Sequence, residues 1–257
     1  MNNITSIILG VVQGVTEFLP ISSSAHLVFI QTIFHKNENM LFFDILLHFA
    51  TMLAVVVVFY KDIVEYLKSV KIIFYITVAT IPTGIIGLII KKYFEDVFLT
   101  SIYASIFLIL TGVMLYFSEW NYLKKQNEKK KIVETGWLRS LIIGVFQGIA
   151  VLPGISRSGA TLSATMFLGI EKKDAVKFVF IMSLPAILAA TMLEIKDLMF
   201  SNEIVKFEIN YLYGIIAAFV FGILALKFLI KIVQNNTLKY FAYYCITVGI
   251  FTALFLK

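Results

Sequence analysis

The sequence predicts an all-α integral membrane protein built from two inverted repeats, each with one re-entrant helical hairpin and three transmembrane helices. Of its 257 residues, 60% are hydrophobic and 15% are charged, and the mean hydropathy is +0.90. A soluble domain has about a quarter charged residues. The apolar residues form blocks about as long as a bilayer is thick. The two halves of the chain also resemble each other.

Six apolar stretches are long enough to cross a bilayer as helices. A transmembrane helix needs about 20 residues to cross about 30 Å of hydrocarbon. We expect one span in each of residues 40–60, 72–90, 101–119, 174–193, 211–231 and 239–256.

Two further apolar regions, residues 4–34 and 137–170, are interrupted by polar and helix-breaking residues. The first contains Pro20 before three serines, and the second contains Pro153 and Gly154 before Ser-Arg-Ser. Neither side of each break is long enough to cross. We therefore expect helical hairpins that enter the membrane and return to the same side, which requires burial in protein or contact with a wet cavity.

The two halves match at an offset of about 134 residues. Gln13-Gly14 recurs as Gln147-Gly148, and Lys61-Asp62 recurs as Lys196-Asp197. Three spans per half is an odd number, so the second copy must begin on the opposite face. Such inverted repeats place binding sites near the membrane midplane.

We expect one membrane domain over the whole chain, residues 1–257, with repeats at 1–120 and 137–257. The linker, residues 121–136, is rich in lysine. Because lysine and arginine concentrate in cytoplasmic loops, we assign the linker to the cytoplasm and both termini to the outside. The linker then reads as a solvated loop, and the net charge of +6 reflects this asymmetry, with no nucleic-acid partner expected.

The first interrupted region carries ionisable and hydroxyl groups at membrane depth. Glu17 follows Gln13 by four residues, so both side chains project from one helical face. An intramembrane charge is costly and usually functional. Ser22, Ser23 and Ser24 precede the second helix of the hairpin, where serine caps helices and free N–H groups bind phosphate. His26 follows Ser22 by one turn and adds an acid/base group.

The second break has Arg157 between Ser156 and Ser158 at a predicted helix start, with Thr161 one turn further. A guanidinium offers five donors in a planar fork suited to phosphate oxygens. Arg157 either binds an anion or pairs with Glu17, and both hold together if an anion lies between them.

Three other features have simpler interpretations. Asp44 and His48 lie one turn apart at the start of the first span; they could extend the polar site, but a local helix pair is the expected interpretation. Cys245 lies in an apolar stretch and is interpreted as a small core residue. The three histidines do not have the spacing of a zinc site.

The two broken segments resemble the signatures of the bacterial undecaprenyl-diphosphate phosphatases of the bacitracin-resistance type. The resemblance rests on residues 13–27, QGVTEFLPISSSAHL, and residues 153–161, PGISRSGAT. It implies hydrolysis of undecaprenyl diphosphate to undecaprenyl phosphate and inorganic phosphate. This reaction recycles the lipid carrier for cell-wall synthesis and confers resistance to bacitracin. It also implies a multi-pass protein of the bacterial cell (inner) membrane, surrounded by membrane lipid. Whether the protein forms a homodimer stays open.

The resemblance further implies a divalent cation, Mg²⁺ or Ca²⁺, held by Glu17. Many members carry glutamate where this chain has Gln13, so here the amide would be the second ligand. Glu17, His26 and either Ser22 or Ser23 would serve hydrolysis, by attack of a serine or of water. The residues implied in diphosphate binding are Gly154, Ser156, Arg157, Ser158 and Thr161.

A different class of function is also compatible with two inverted repeats. Secondary transporters use the same architecture, so a carrier (flippase) of polyprenyl phosphate, or a protein with both activities, is the alternative. A carrier needs only cationic groups and amides that bind the phosphate, whereas a hydrolase also needs an acid/base group beside a nucleophile. The serine, histidine and glutamate of the first hairpin favour the hydrolase.

Overall fold

The computed structural model describes residues 2–33, 41–94, 100–124, 129–134, 136–200, 207–235 and 237–256. Residue 34 of the first predicted hairpin, residue 40 of the first predicted span, the chain ends and residues 125–128 and 135 of the linker lie outside these ranges. The described part is all-helical. Its eleven α-helices are α1 Asn3–Phe18, α2 Ser23–Ile33, α3 Leu41–Val58, α4 Tyr60–Leu67, α5 Val70–Tyr93, α6 Ser101–Lys124, α7 Trp137–Ile149, α8 Arg157–Phe167, α9 Lys172–Phe200, α10 Ile209–Asn235 and α11 Lys239–Phe255.

Among the described residues, five helices are long and apolar enough to cross a membrane: α3, α5, α6, α9 and α10. The sixth predicted span is the apolar helix α11, which has 17 residues. The outer faces of the long helices expose large apolar side chains, for example Ile85, Leu110 and Leu224, each at least 50% exposed. Such surfaces are stable against lipid tails and unfavourable in water.

Both interrupted regions form pairs of short helices, as the sequence predicts. Helix α1 has 16 residues and α2 has 11, while α7 has 13 and α8 has 11. At 1.5 Å per residue, these helices are about 16–24 Å long, less than the hydrocarbon thickness. The first helix ends at Phe18, two residues before Pro20, and the corresponding helix of the second region ends at Ile149, four residues before Pro153.

Helix α1 packs along α10, and α7 packs along α5, at glycines that allow close approach of the backbones. A Cβ atom added at Gly10 would lie 2.8 Å from the Cα of Gly214, and one added at Gly144 would lie 2.7 Å from the Cα of Ala79. Gly10 and Gly144 are related by the 134-residue offset of the sequence repeat. The two short-helix pairs are therefore each fixed against a long helix of the other half.

The described part of the linker is less solvated than the sequence suggested. The N–H of Lys130 donates to the carbonyl of Gly169 and its carbonyl accepts from the N–H of Glu171, both at 3.0 Å. Ile132 is 1% exposed, and its N–H donates to a carboxylate oxygen of Asp174 at 2.5 Å. These contacts attach the end of the linker to the connection between α8 and α9.

Candidate active site

The two breaks meet inside the protein. The N–H of Gly154 in the second break donates to the hydroxyl of Ser24 in the first at 3.4 Å. In the opposite direction, the hydroxyl of Ser158 donates to the carbonyl of Leu19 at 3.2 Å. The starts of α2 and α8 therefore lie side by side, as the sequence predicts for a shared site.

The second break is shaped by a glycine and a capping serine. Gly154 has φ +101, and a Cβ atom there would lie 2.8 Å from the Cβ of Phe107, so the position requires glycine. Ser156 is the N-cap of α8, since its hydroxyl accepts from the N–H of Gly159 at 3.1 Å. This local structure presents Arg157 as the first residue of the helix.

The first break uses Ser22 in the same way. Its hydroxyl accepts from the N–H of Ala25 at 3.4 Å and lies 3.2 Å from the hydroxyl of Ser24. Ser22 has φ +67, which is unusual for a residue other than glycine. Its hydroxyl thus has a capping role. Neither capping bond uses the first-turn N–H groups of Ser23 or Arg157, which remain suited to an anion.

Two side chains from other helices hold the carbonyls of the breaks. The hydroxyl of Thr111 on α6 donates to the carbonyl of Gly154 at 3.1 Å. The thiol of Cys245 on α11 donates to the carbonyl of Pro20 at 3.4 Å. Cys245 is fully buried, which confirms its interpretation as a core residue. The sequence gives no signal for the role of Thr111.

Glu17 lies at the centre of the site and is 8% exposed. One carboxylate oxygen, Oε1, pairs with Nη2 of Arg157. The other, Oε2, accepts from the hydroxyl of Ser23 at 2.5 Å and from Nε2 of Gln13 at 3.0 Å. The predicted meeting of Glu17 with Arg157 is confirmed, and the predicted proximity of Gln13 and one serine is confirmed with it.

The Arg157 side chain is 25% exposed, so the protein does not fully enclose it. The hydroxyls around it are engaged within the protein. Those of Ser156 and Ser158 lie 3.1 Å apart, and that of Thr161 donates to the carbonyl of Arg157 at 2.8 Å. In this arrangement Arg157 and the helix N-terminus offer donors to a ligand, while Thr161 stabilises the turn that carries them.

His26 contacts Tyr244, a residue outside the two sequence motifs. Its Nδ1 lies 2.7 Å from the carbonyl of Ser22, and its Nε2 lies 2.8 Å from the hydroxyl of Tyr244. The rings of His26 and Tyr244 are stacked, with centroids 5.8 Å apart. Within the described residues, the polar contacts of His26 go to these two partners and not to Glu17 or Arg157. The catalytic role that the resemblance implies for His26 therefore stays a prediction.

His48 occupies the place beside Glu17. Its Nε2 lies 3.8 Å from Oε2 of Glu17, and its Nδ1 lies 2.8 Å from the carbonyl of Asp44. The expected local pairing within α3 therefore occurs through the backbone of Asp44. An imidazole within an apolar span is a sequence signal for a site residue. The direction in which the His48 side chain points, however, depends on how α3 packs against α1.

The donor atoms around Glu17 suit an oxygen-preferring divalent cation. Among the described residues, no group of three or more His, Cys, Asp or Glu side chains is arranged as a metal site. The buried Oε1 of Gln13, however, has no hydrogen-bond partner, and it belongs to the amide that contacts Glu17. One carboxylate and one amide oxygen fit the way Mg²⁺ is bound together with phosphate oxygens of a substrate.

Comparison with known proteins assigns the family. The sequence model of the bacitracin resistance protein BacA family matches residues 6–251. The chain belongs to this family. Its BacA-type relatives include proteins named undecaprenyl-diphosphatase from Methanococcus vannielii, 41% identical over 98% of this chain and 99% of the relative, and from Carboxydothermus hydrogenoformans, 37% identical over 97% and 96%. A third, from Treponema denticola, is 40% identical over 97% and 96%. Membership of the BacA family and the apolar helices identify a multi-pass membrane protein.

Proposed function

We propose that this protein hydrolyses undecaprenyl diphosphate to undecaprenyl phosphate and inorganic phosphate. This activity recycles the lipid carrier for cell-wall synthesis and confers bacitracin resistance. The relatives are named for this reaction. The observation that carries the proposal is the contact of Glu17 with both Arg157 and the hydroxyl of Ser23 inside an apolar bundle. A carrier would not require a carboxylate bonded to a hydroxyl nucleophile.

Substrate binding uses Arg157 and the two helix starts. One nitrogen of the guanidinium contacts Glu17, and the remaining donors are available to the oxygens of the diphosphate. The first-turn N–H groups of α2 and α8 add donors at the positive ends of two helices. These groups stabilise the negative charge on the terminal phosphate, which is the main requirement of phosphoryl transfer.

Glu17 is the base that prepares the nucleophile. The nucleophile oxygen bonds to the terminal phosphorus while the bond from that phosphorus to the bridging oxygen breaks, and Glu17 takes the proton of the nucleophile. The bridging oxygen leaves with undecaprenyl phosphate. Ser23 is the nucleophile favoured by its 2.5 Å hydrogen bond to Glu17. On this route water then attacks the phosphorus of phosphoserine, the bond to the serine oxygen breaks, and the proton held by Glu17 returns to that oxygen as inorganic phosphate is released. Direct attack of water on the terminal phosphorus is the alternative. Trapping of phosphoserine at Ser23 separates the two routes.

We further propose that Glu17 and Gln13 hold Mg²⁺ or Ca²⁺. The unpaired oxygen of the buried Gln13 amide supports this assignment, since a buried acceptor without a partner is costly. When bound, the cation supplies positive charge to the phosphate oxygens. The negative charge of Glu17 is already balanced by Arg157, so binding of the cation together with the diphosphate is expected.

The fold is proposed to be two inverted repeats with re-entrant hairpins. Several contacts recur at the repeat offset and support this topology. Thr111 and Cys245, 134 residues apart, each bond a carbonyl of one break. Ser24 and Ser158, also 134 residues apart, each bond the backbone of the opposite break. Matching contacts on both sides are expected when two copies of one unit face each other.

The proposed orientation has the linker in the cytoplasm and both termini outside. Cys245 is the single native cysteine and is fully buried, so an introduced cysteine reports its own exposure. In intact cells, a membrane-impermeant maleimide should label a cysteine added at the C-terminus and should not label Lys130→Cys. Labelling of Lys130→Cys in intact cells reverses the orientation.

The proposed function is tested with purified protein and undecaprenyl diphosphate in detergent. We expect release of inorganic phosphate that stops on addition of a chelator and returns with Mg²⁺ or Ca²⁺. The carrier alternative is tested separately by movement of undecaprenyl phosphate across sealed vesicles. Movement of lipid without phosphate release in detergent would reject the hydrolase.

A further inference from the structure

His48 approaches the active-site carboxylate from a helix that the catalytic motifs do not include. Its Nε2 lies 3.8 Å from Oε2 of Glu17. This distance is too long for a direct hydrogen bond. The His48 side chain is 35% exposed, whereas that of Glu17 is 6% exposed. His48 is therefore the more accessible of the two side chains.

The bond on the other side of the ring determines what His48 presents to Glu17. Nδ1 lies 2.8 Å from the backbone carbonyl of Asp44. A carbonyl oxygen only accepts, so Nδ1 carries the hydrogen. In the neutral ring, Nε2 then has a free lone pair, and this lone pair faces a carboxylate oxygen that is also an acceptor. Two facing acceptors are stabilised either by a proton on Nε2, which makes the contact an ion pair, or by a cation between them.

Gln13 adds a third acceptor to the same place. Its amide contacts Oε2 of Glu17 through Nε2 at 3.0 Å, is fully buried, and has an Oε1 atom without a hydrogen-bond partner. A half-turn of the amide group exchanges Oε1 and Nε2. The amide oxygen then lies about 3.0 Å from Oε2, the separation of neighbouring ligands in an octahedral site with bonds of about 2.1 Å.

We propose that His48 supplies a nitrogen ligand, through Nε2, to the divalent cation held by Glu17 and Gln13. The inference rests on the proposed function and extends its cation site by one residue. Two ligands of one ion at about 2.1 Å can lie at most about 4.2 Å apart. The observed 3.8 Å between Nε2 of His48 and Oε2 of Glu17 meets this limit.

The other described histidine is not available for this role. In His26, Nδ1 contacts the carbonyl of Ser22, and Nε2 contacts the hydroxyl of Tyr244 at 2.8 Å. Both ring nitrogens are therefore engaged. His48 differs because its Nδ1 contacts a backbone carbonyl while its Nε2 lies 3.8 Å from a carboxylate oxygen of Glu17. An imidazole ligand also changes the preference of the site, since imidazole suits Zn²⁺, Fe²⁺ and Ni²⁺ better than Mg²⁺ and Ca²⁺.

The test measures Mn²⁺ binding by electron paramagnetic resonance, independently of turnover. The full-length protein, without a histidine tag, is titrated with Mn²⁺ in detergent and methylenediphosphonate, a diphosphate that cannot be hydrolysed. Pulsed measurements should detect ¹⁴N coupling from one directly bound imidazole, and labelling with ¹⁵N-histidine should replace it by ¹⁵N coupling. Absence of histidine coupling in the unmodified protein overturns the proposal without any variant.

Variants assign the nitrogen. His48→Gln should remove the coupling and raise the Mn²⁺ concentration for half-saturation at least about tenfold. The matched control is Phe49→Leu, the next residue on α3, which is 41% exposed to the surroundings and should leave the coupling and the half-saturation unchanged. Coupling that survives in His48→Gln and disappears in His26→Gln would contradict the assignment.

Phosphate release by the unmodified protein without histidine coupling rejects this ligand alone, whereas absence of phosphate release rejects the proposed function itself.

Discussion

Glu17 and Arg157 are 140 residues apart in the sequence and form an ion pair inside the helical bundle. The pair joins the end of α1 to the start of α8. Each charge alone would be costly at membrane depth, whereas together they neutralise each other. The contact thus stabilises the meeting of the two breaks and fixes the position of the guanidinium.

Arg157→Lys is expected to reduce kcat/KM about 10- to 100-fold. Lysine keeps the positive charge but cannot contact Glu17 and a phosphate with one planar fork, and a hydrogen bond to a charged group contributes about 1.5–3 kcal/mol. The measurement is phosphate release from undecaprenyl diphosphate over a range of substrate concentrations. Arg139→Lys, at the chain's other arginine, is the control and should keep the original kcat/KM. Full activity in Arg157→Lys would show that bidentate contact is unnecessary.

Much of the fold could be predicted because the bilayer restricts it. Each of the six predicted spans is a helix, and the helices from 101 and 239 begin at the predicted residues. Both interruptions were visible from prolines and serines within apolar sequence. The pairing of Glu17 with Arg157 was also predictable, since an isolated charge at this depth requires a partner.

The remaining contacts depend on packing that a single sequence does not encode locally. His26 turns to Tyr244 because α11 passes beside α2, and His48 reaches Glu17 because α3 passes beside α1. Neither approach follows from helical periodicity within one segment. The end of α3 near Phe59 was likewise not predicted, since residues 40–60 form one mostly apolar stretch with only a few polar side chains.

Ser23→Ala is expected to reduce kcat by about 10²–10⁴-fold, because Ser23 is the hydroxyl bonded to Glu17. The comparison variant is Ser22→Gly. Ser22 caps α2 and has φ +67, a conformation that glycine adopts readily, and loss of a serine cap to glycine costs only a few tenths of a kcal/mol. Phosphate release per folded protein should therefore fall far more in Ser23→Ala than in Ser22→Gly. Equal losses in both variants would mean that Ser23 is not distinguished chemically from its neighbour.

The sequence repeat also explains why the site is asymmetric. At the 134-residue offset, Glu17 corresponds to Val151, Ser23 to Arg157 and His26 to Ala160. The first half therefore supplies the carboxylate and the hydroxyl, and the second half supplies the guanidinium that contacts that carboxylate. The capping serines common to both halves keep the backbones of the two breaks alike. The side chains that differ between the halves form one combined site instead of two similar sites.

Glu119→Ala is expected to destabilise the folded protein by about 1.5–3 kcal/mol, the contribution of a hydrogen bond to a charged group. Glu119 is 1% exposed; one carboxylate oxygen accepts from Nζ of Lys172 at 2.9 Å, and the other accepts from the N–H of Leu238 at the start of α11. The measurement is the apparent Tm in detergent. Asp197→Ala is the control, because the ion pair of Asp197 with Lys91 is exposed and screened by water. Its apparent Tm should not change, and a similar decrease in both variants would contradict the structural role of Glu119.

Gly144→Ala is expected to lower the apparent Tm, because a Cβ atom there would lie 2.7 Å from the Cα of Ala79 on α5. Backbone cannot move aside as a flexible side chain can, and overpacking of this kind costs about 1–3 kcal/mol. Gly84→Ala, on α5 itself, is the matched control, since a Cβ atom there meets nothing within 4 Å. Alanine is the better helix former by about 0.5–1 kcal/mol, so Gly84→Ala should keep or raise the apparent Tm. Because α7 carries the chain into the second break, Gly144→Ala should also reduce phosphate release, whereas an unchanged Tm and activity would mean that α5 and α7 do not approach as closely as described.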